Sequence, residues 1–218
     1  MRTVVEIYET YRIMPQLQLH QLRVAAVAQT VCNSLKISVN SQDVILACLF
    51  HDMANIIKSD FDHFPDSFRG PQPRSYWDGI KSEYIEKYGS NTHAAALIIA
   101  KELSLPDSVR KLIDEISFSR LEITRDSGSP AQKITEYADL RVGPHGVLSL
   151  ADRIADIRVR YAGKPGSETP DDADRFNMLA QAAHGIEQQL FEFTGIKPED
   201  INDESVAPII EELRKYQV

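Results

Sequence analysis

Along most of this chain apolar residues recur at intervals of three and four, the spacing of one helix face. No stretch alternates apolar and polar with the period of two that a half-buried strand requires. Residues 2–14 have helical composition and are closed by Pro15. Val24, Val27, Val31 and Leu35 form one stripe and predict a helix over residues 19–36. His20 lies four residues before Val24, on the same stripe at the helix start. Residues 37–41 read as a linker, with Ser41 as N-cap of the next helix and Asp43 in its first turn. That next helix is apolar on every side, because Val44 to Phe50 are apolar without interruption. It is therefore expected at the centre of the core. It ends in adjacent His51 and Asp52.

The pattern breaks over residues 58–76, where three prolines and a glycine mark a long loop. Tyr76, Trp77, Ile80, Tyr84 and Ile85 then predict a short amphipathic helix stopped near Gly89. Asn91 or Thr92 caps the following one, with Ala95, Ile98, Ile99 and Leu103 inward and His93 in its first turn. Pro106 opens a helix to about Ser117, carried by Val109, Leu112, Ile113 and Ile116. Ser129-Pro130 opens another to about Val142, an N-cap followed by proline at the first helical position. Ala131, Ile134 and Ala138 face inward, and Asp139-Leu140-Arg141 closes it. After a tight Gly143–Gly146 connection, residues 149–161 set Leu150, Ile154, Ile157 and Tyr161 against Asp152, Arg153, Asp156 and Arg160, with Asp156 and Arg160 spaced to pair. A polar linker over 163–172, a long helix over 173–194 and a last helix from Ser205 complete the chain. The reading is all-α: about ten helices in a single domain, a core over about 17–161 and a helical extension over 162–218.

Composition narrows the function classes. The 218 residues carry a net charge of −8, which argues against a general nucleic-acid binder, since that would need a basic footprint. No apolar run approaches the roughly 18 residues of a membrane span. The first residues lack the apolar core of a signal peptide. The two cysteines fall inside apolar helical patterns, so no disulfide framework is expected. These features suggest a cytoplasmic protein, without membrane association and with oligomerisation left open.

A buried helix should not finish in an imidazole and a carboxylate unless both are satisfied, because an unpaired buried charge is costly. A divalent cation satisfies both. The bland alternative is a polar helix tip in water, and a lone His such as His20 reads first as a hydrogen-bonded core residue. The two readings separate only when four residues are taken together: His20 at a helix start, His51-Asp52 at a helix end, and Asp139 at another end. Two neutral imidazoles and two carboxylates suit one divalent metal ion (Mn, Fe, Co, Ni, Zn or Mg) and leave coordination positions open for water and substrate. Asp152 also follows an alanine, but it lies on a charged helix flank. Asp139, at the end of an apolar stretch, is preferred.

This order of residues resembles the HD superfamily of metal-dependent phosphohydrolases, with its pattern H…HD…D on an all-helical core. The segment Leu19-His20-Gln21-Leu22-Arg23-Val24-Ala25 is similar to the family's first-histidine helix. Ala47 to Asn55, containing Leu49-Phe50-His51-Asp52-Met53, is similar to its central segment. Ile134 to Val142, containing Tyr137-Ala138-Asp139, is similar to its last. The resemblance covers roughly residues 17–161. It implies a phosphohydrolase acting on a small phosphate ester or nucleotide, with metal ligands His20, His51, Asp52 and Asp139. The alternative is a non-catalytic sensor or regulatory module that keeps the core for binding metal or nucleotide.

Within the enzyme reading, Asp52 is both ligand and proton acceptor. His93 is either a substrate-facing acid or base or an ordinary helical histidine. Arg23, Lys58 and Arg141 are candidates to bind substrate phosphate, although each also fits an ordinary surface role. The loop over 58–77, with Arg69, Arg74, Tyr76 and Trp77, is either a cover for the site or a surface excursion. Two departures from the family pattern stand out. Ala54 replaces a common Gly, and Ser117-Phe118-Ser119 stands where two-metal members carry a second extra His. One metal is therefore expected.

Overall fold

The computed structural model describes residues 1–62, 71–161 and 172–218. These hold eleven α-helices and no strand beyond three isolated bridges. They are α1 (Val4–Thr10), α2 (Pro15–Ser34), α3 (Ser41–Phe50), α4 (Arg74–Tyr88), α5 (Thr92–Glu102), α6 (Asp107–Glu115), α7 (Leu121–Ser127), α8 (Pro130–Asp139), α9 (Leu150–Tyr161), α10 (Ala173–Phe191) and α11 (Asp203–Leu213).

Local chemistry sets most of the helix starts. Thr3 and Glu6 form a capping box on α1, and Ser129 and Gln132 form one on α8. Asn40, Asn91 and Asp172 each accept a backbone N–H in the first turn of α3, α5 and α10. Asn40 thus takes the capping role expected of Ser41. Gly89 ends α4 at φ +85°, a conformation that a side chain disfavours. Pro15 does not close α1. It is the first residue of α2, where its missing N–H has no intrahelical partner to lose. That adds a turn ahead of His20, which therefore sits inside the helix rather than at its start.

The all-apolar α3 lies at the centre and packs against α2, α6 and α8. Every residue from Val44 to Phe50 is buried, and burying one Leu, Val or Phe contributes about 1.5–3 kcal/mol. Tyr8 of α1 donates to the Leu49 carbonyl at 2.6 Å inside the core and meets Phe50 edge-on. The C-terminal helices complete the same packing: α11 lies on α2, and α10 lies on α7 and α8. The chain ends pair through Arg2 and Val218, with Val218 N–H donating to the Arg2 carbonyl at 3.0 Å.

Three further expectations change. Ile98, expected inside, is 44% exposed, because the inner face of α5 is Ala95, Ala96, Ile99 and Ala100. The helix α7 was not anticipated; it is short and follows a 3-10 turn at Phe118–Arg120. Asp156 pairs at 2.5 Å with Arg153, one turn before it, rather than with Arg160, one turn after. The polar linker over 163–172 falls almost wholly outside the described residues.

Candidate metal centre

Three helices bring the four expected ligands to one place. His20 comes from the second turn of α2, His51 and Asp52 follow the last residue of α3, and Asp139 is the last residue of α8. His20 Nε2 lies 3.1 Å from Asp139 Oδ1 and 3.6 Å from Asp52 Oδ2. His51 Nε2 lies 3.5 Å from Asp139 Oδ1 and 3.6 Å from Asp52 Oδ2. Ligand atoms of His20, His51 and Asp52 all lie within 4.8 Å of one another. The His51 side chain is 4% exposed while Asp139 is 30% exposed, so the cluster opens to solvent on the Asp139 side.

The tautomer of His51 follows from its partners. Its Nδ1 lies 2.8 Å from the Cys48 carbonyl oxygen, which can only accept, so Nδ1 carries the proton. Nε2 then holds the lone pair in the neutral ring. That atom is buried without a hydrogen-bond partner. A buried imidazole nitrogen without a hydrogen-bond partner, facing two carboxylates, is what a nitrogen-and-oxygen metal site presents, so the residues fit a divalent cation.

Electrostatics point the same way. Burial favours the neutral His51 ring, yet the charges of Asp52 and Asp139, with the Cys48 carbonyl on Nδ1, push it up to about 9. Desolvation favours the protonated Asp139 carboxyl, but the adjacent His20 and His51 rings hold it well below the usual carboxylate range. The pocket thus concentrates negative charge that asks for a cation.

The remaining residues singled out in the sequence lie elsewhere or are otherwise engaged. Asp152 is exposed near the start of α9, bonded to the Ser149 hydroxyl at 2.6 Å, a local cap that explains it fully. Arg141 is corrected outright: it is 2% exposed and bonds inward. Its guanidinium donates to the carbonyls of Leu148 (2.5 Å), Pro198 (3.2 Å) and Ile201 (2.8 Å) and to the Tyr137 hydroxyl, which ties the C-terminal segment to α8. Arg23 faces Asp203 at the start of α11, with Nε 3.5 Å from Oδ1. Lys58 is exposed at the end of the short 3-10 turn Asn55–Lys58 that follows the His-Asp pair. His93 sits exposed in the first turn of α5, its Nε2 2.7 Å from Asp114 Oδ1 of α6.

Of the loop residues, Trp77 is a core residue of α4 at 4% exposure, and Arg74 pairs with Asp62 at 2.5 Å. Arg69 lies outside the described residues. Ala54 has φ −108°, so the position that often holds glycine does not need one here. Gln21, passed over in the sequence, is fully buried beside His20, and its Oε1 accepts the Asp52 N–H at 3.2 Å.

The family model of the HD domain matches residues 18–155. The chain belongs to the HD-domain family, whose members are commonly metal-dependent phosphohydrolases that bind divalent ions. No curated protein and no solved structure matches the chain. Among the described residues, no helix is long and apolar enough to cross a membrane.

Proposed function

We propose that this protein is a metal-dependent phosphohydrolase that cleaves a small phosphate ester or nucleotide, as a phosphomonoesterase or phosphodiesterase. The observation that carries this reading is the buried, unpartnered His51 Nε2, which like His20 Nε2 lies within 3.6 Å of both the Asp52 and the Asp139 carboxylates. A single divalent ion held there would polarise a phosphoryl oxygen and lower the pKa of a coordinated water. His20, His51 and Asp139 fix the geometry. Asp52, on the shared edge of the cluster, accepts the proton of the attacking water. His93, oriented by Asp114, supplies a proton on the substrate side. Arg23 and Lys58 offset substrate charge.

One observation favours the second reading, a non-catalytic metal- or nucleotide-sensing module. Arg141 is consumed by backbone carbonyls and Arg23 faces Asp203, so both of these arginines are engaged within the protein. An assay of nucleotides and generic phosphate esters with Mn, Co, Ni and Mg separates the two. The enzyme reading expects phosphate release that Asp52→Ala abolishes. Saturable nucleotide binding without release, across all four metals, supports the sensor.

A further inference from the structure

A buried glutamine next to a metal ligand calls for an explanation, because its amide must find partners or cost stability. Gln21 is fully buried on α2, immediately after His20. Its Oε1 accepts the Asp52 N–H at 3.2 Å, while its Nε2 is buried without a partner. The amide orientation is not free. Reversed, it would set NH2 against the Asp52 N–H, two donors face to face.

The Asp52 amide has an obvious alternative partner. In a continuing α-helix an N–H bonds the carbonyl four residues earlier, which for Asp52 is that of Cys48. That carbonyl is taken by the His51 ring through Nδ1, at 2.8 Å. The two bonds form one exchange: the ring takes the carbonyl, and Gln21 takes the amide that the carbonyl leaves. The first bond fixes the His51 tautomer and aims Nε2 at the site, and the second fixes the backbone that carries the Asp52 carboxylate.

We infer that Gln21 is a positioning residue of this centre: by holding the Asp52 amide it leaves the Cys48 carbonyl to the His51 ring and so aims two ligands at once. The inference rests on the metal reading above. Outer partners of metal ligands typically change metal affinity by 10- to 100-fold when removed. Gln21→Leu keeps the bulk and apolar surroundings and removes the acceptor. The Asp52 amide then turns to the Cys48 carbonyl, and the His51 ring shares and so weakens its anchor.

The test is titration of the metal-free protein with Co(II), read as affinity against a competing chelator and as the visible d–d spectrum. The expected result is a folded Gln21→Leu protein, by circular dichroism, with Co(II) affinity lower by about 10- to 100-fold and a displaced d–d band. Gln21→Glu keeps an acceptor oxygen for the Asp52 amide and should hold the band at its wild-type position. A folded Leu variant with wild-type affinity and band overturns the inference, as does a Glu variant whose band moves with that of Leu. Should the Leu variant not fold, Gln21→Met, of matching length and without a strong acceptor, carries the same expectation. If neither folds, Gln21 is a requirement of the core and the positioning role is overturned. Wild-type protein that takes up no Co(II) defeats the metal reading itself, an outcome distinct from a wild type that binds beside an indifferent Leu variant.

Discussion

His20 Nε2 stands 3.1 Å from Asp139 Oδ1, although the two residues come from opposite ends of the matched core. The contact joins α2 to α8 across the end of α3, and the His-Asp pair lies between them. If the cluster holds a metal, removing any one ligand should empty it. His51→Ala and Asp52→Ala are expected to lose bound metal by elemental analysis. Asp152→Ala should retain it, since Asp152 is spent on Ser149. Full occupancy in both ligand variants would remove the metal reading.

His93 tests the catalytic part of the proposal separately. Its exposed ring is held by Asp114 of α6 at 2.7 Å, a residue outside the four ligands. His93→Ala is expected to keep metal and lose turnover, and Asp114→Asn should lower turnover less, because the ring stays and only its orientation weakens. A general acid or base contributes about 10²–10⁴-fold, so a loss of that order in kcat is the expected size. Loss of metal in step with activity would make His93 a ligand instead.

Arg141 gives a stability prediction with no expected effect on metal uptake. Arg141→Met removes a cation that satisfies the carbonyls of Leu148, Pro198 and Ile201. Unsatisfied buried acceptors cost about 1–3 kcal/mol each when their partner is removed, and relaxation toward solvent recovers part of that. A destabilisation of about 3 kcal/mol in urea unfolding is expected, with metal affinity close to wild type. Lost substrate affinity at unchanged stability would instead restore the phosphate-binding role first assigned to this residue.

Gly146 is required by a close approach rather than by its backbone angles. A Cβ there would overlap the carboxylate of Asp203, which accepts the Val147 N–H at 3.1 Å and lies 3.5 Å from Arg23. That carboxylate must shift to admit it, at the expense of both contacts. Gly146→Ala is therefore expected to cost about 1–3 kcal/mol, as overpacking does, measured by thermal or urea unfolding. Adding Asp203→Ala should recover part of the loss, since the clash disappears with the carboxylate. Equal stability of Gly146→Ala and wild type would show that Asp203 moves freely.

The sequence by itself determined the all-α class and the central place of α3, and it singled out His20, His51, Asp52 and Asp139, which the fold brings together. It could do so because these depend on local terms: a helical apolar period, an uninterrupted apolar run from Val44 to Phe50, and polar residues at the ends of apolar stretches. The preference for Asp139 over Asp152 also rested on such a local contrast, an apolar approach against a charged flank. What only the tertiary structure decided are the partners. Arg141 has the sequence look of a surface cation after a helix, yet its guanidinium is buried by residues 198–201, far along the chain. Trp77, which fits both the apolar side of α4 and a cover for the site, packs as core. Gln21 reads as one polar residue in an apolar stripe, and its use becomes visible only when α3 places the Asp52 amide against it. A periodic pattern specifies which face of a helix is buried, because burial acts on each residue alone. It does not specify which buried group meets which, because that depends on how distant segments are brought together.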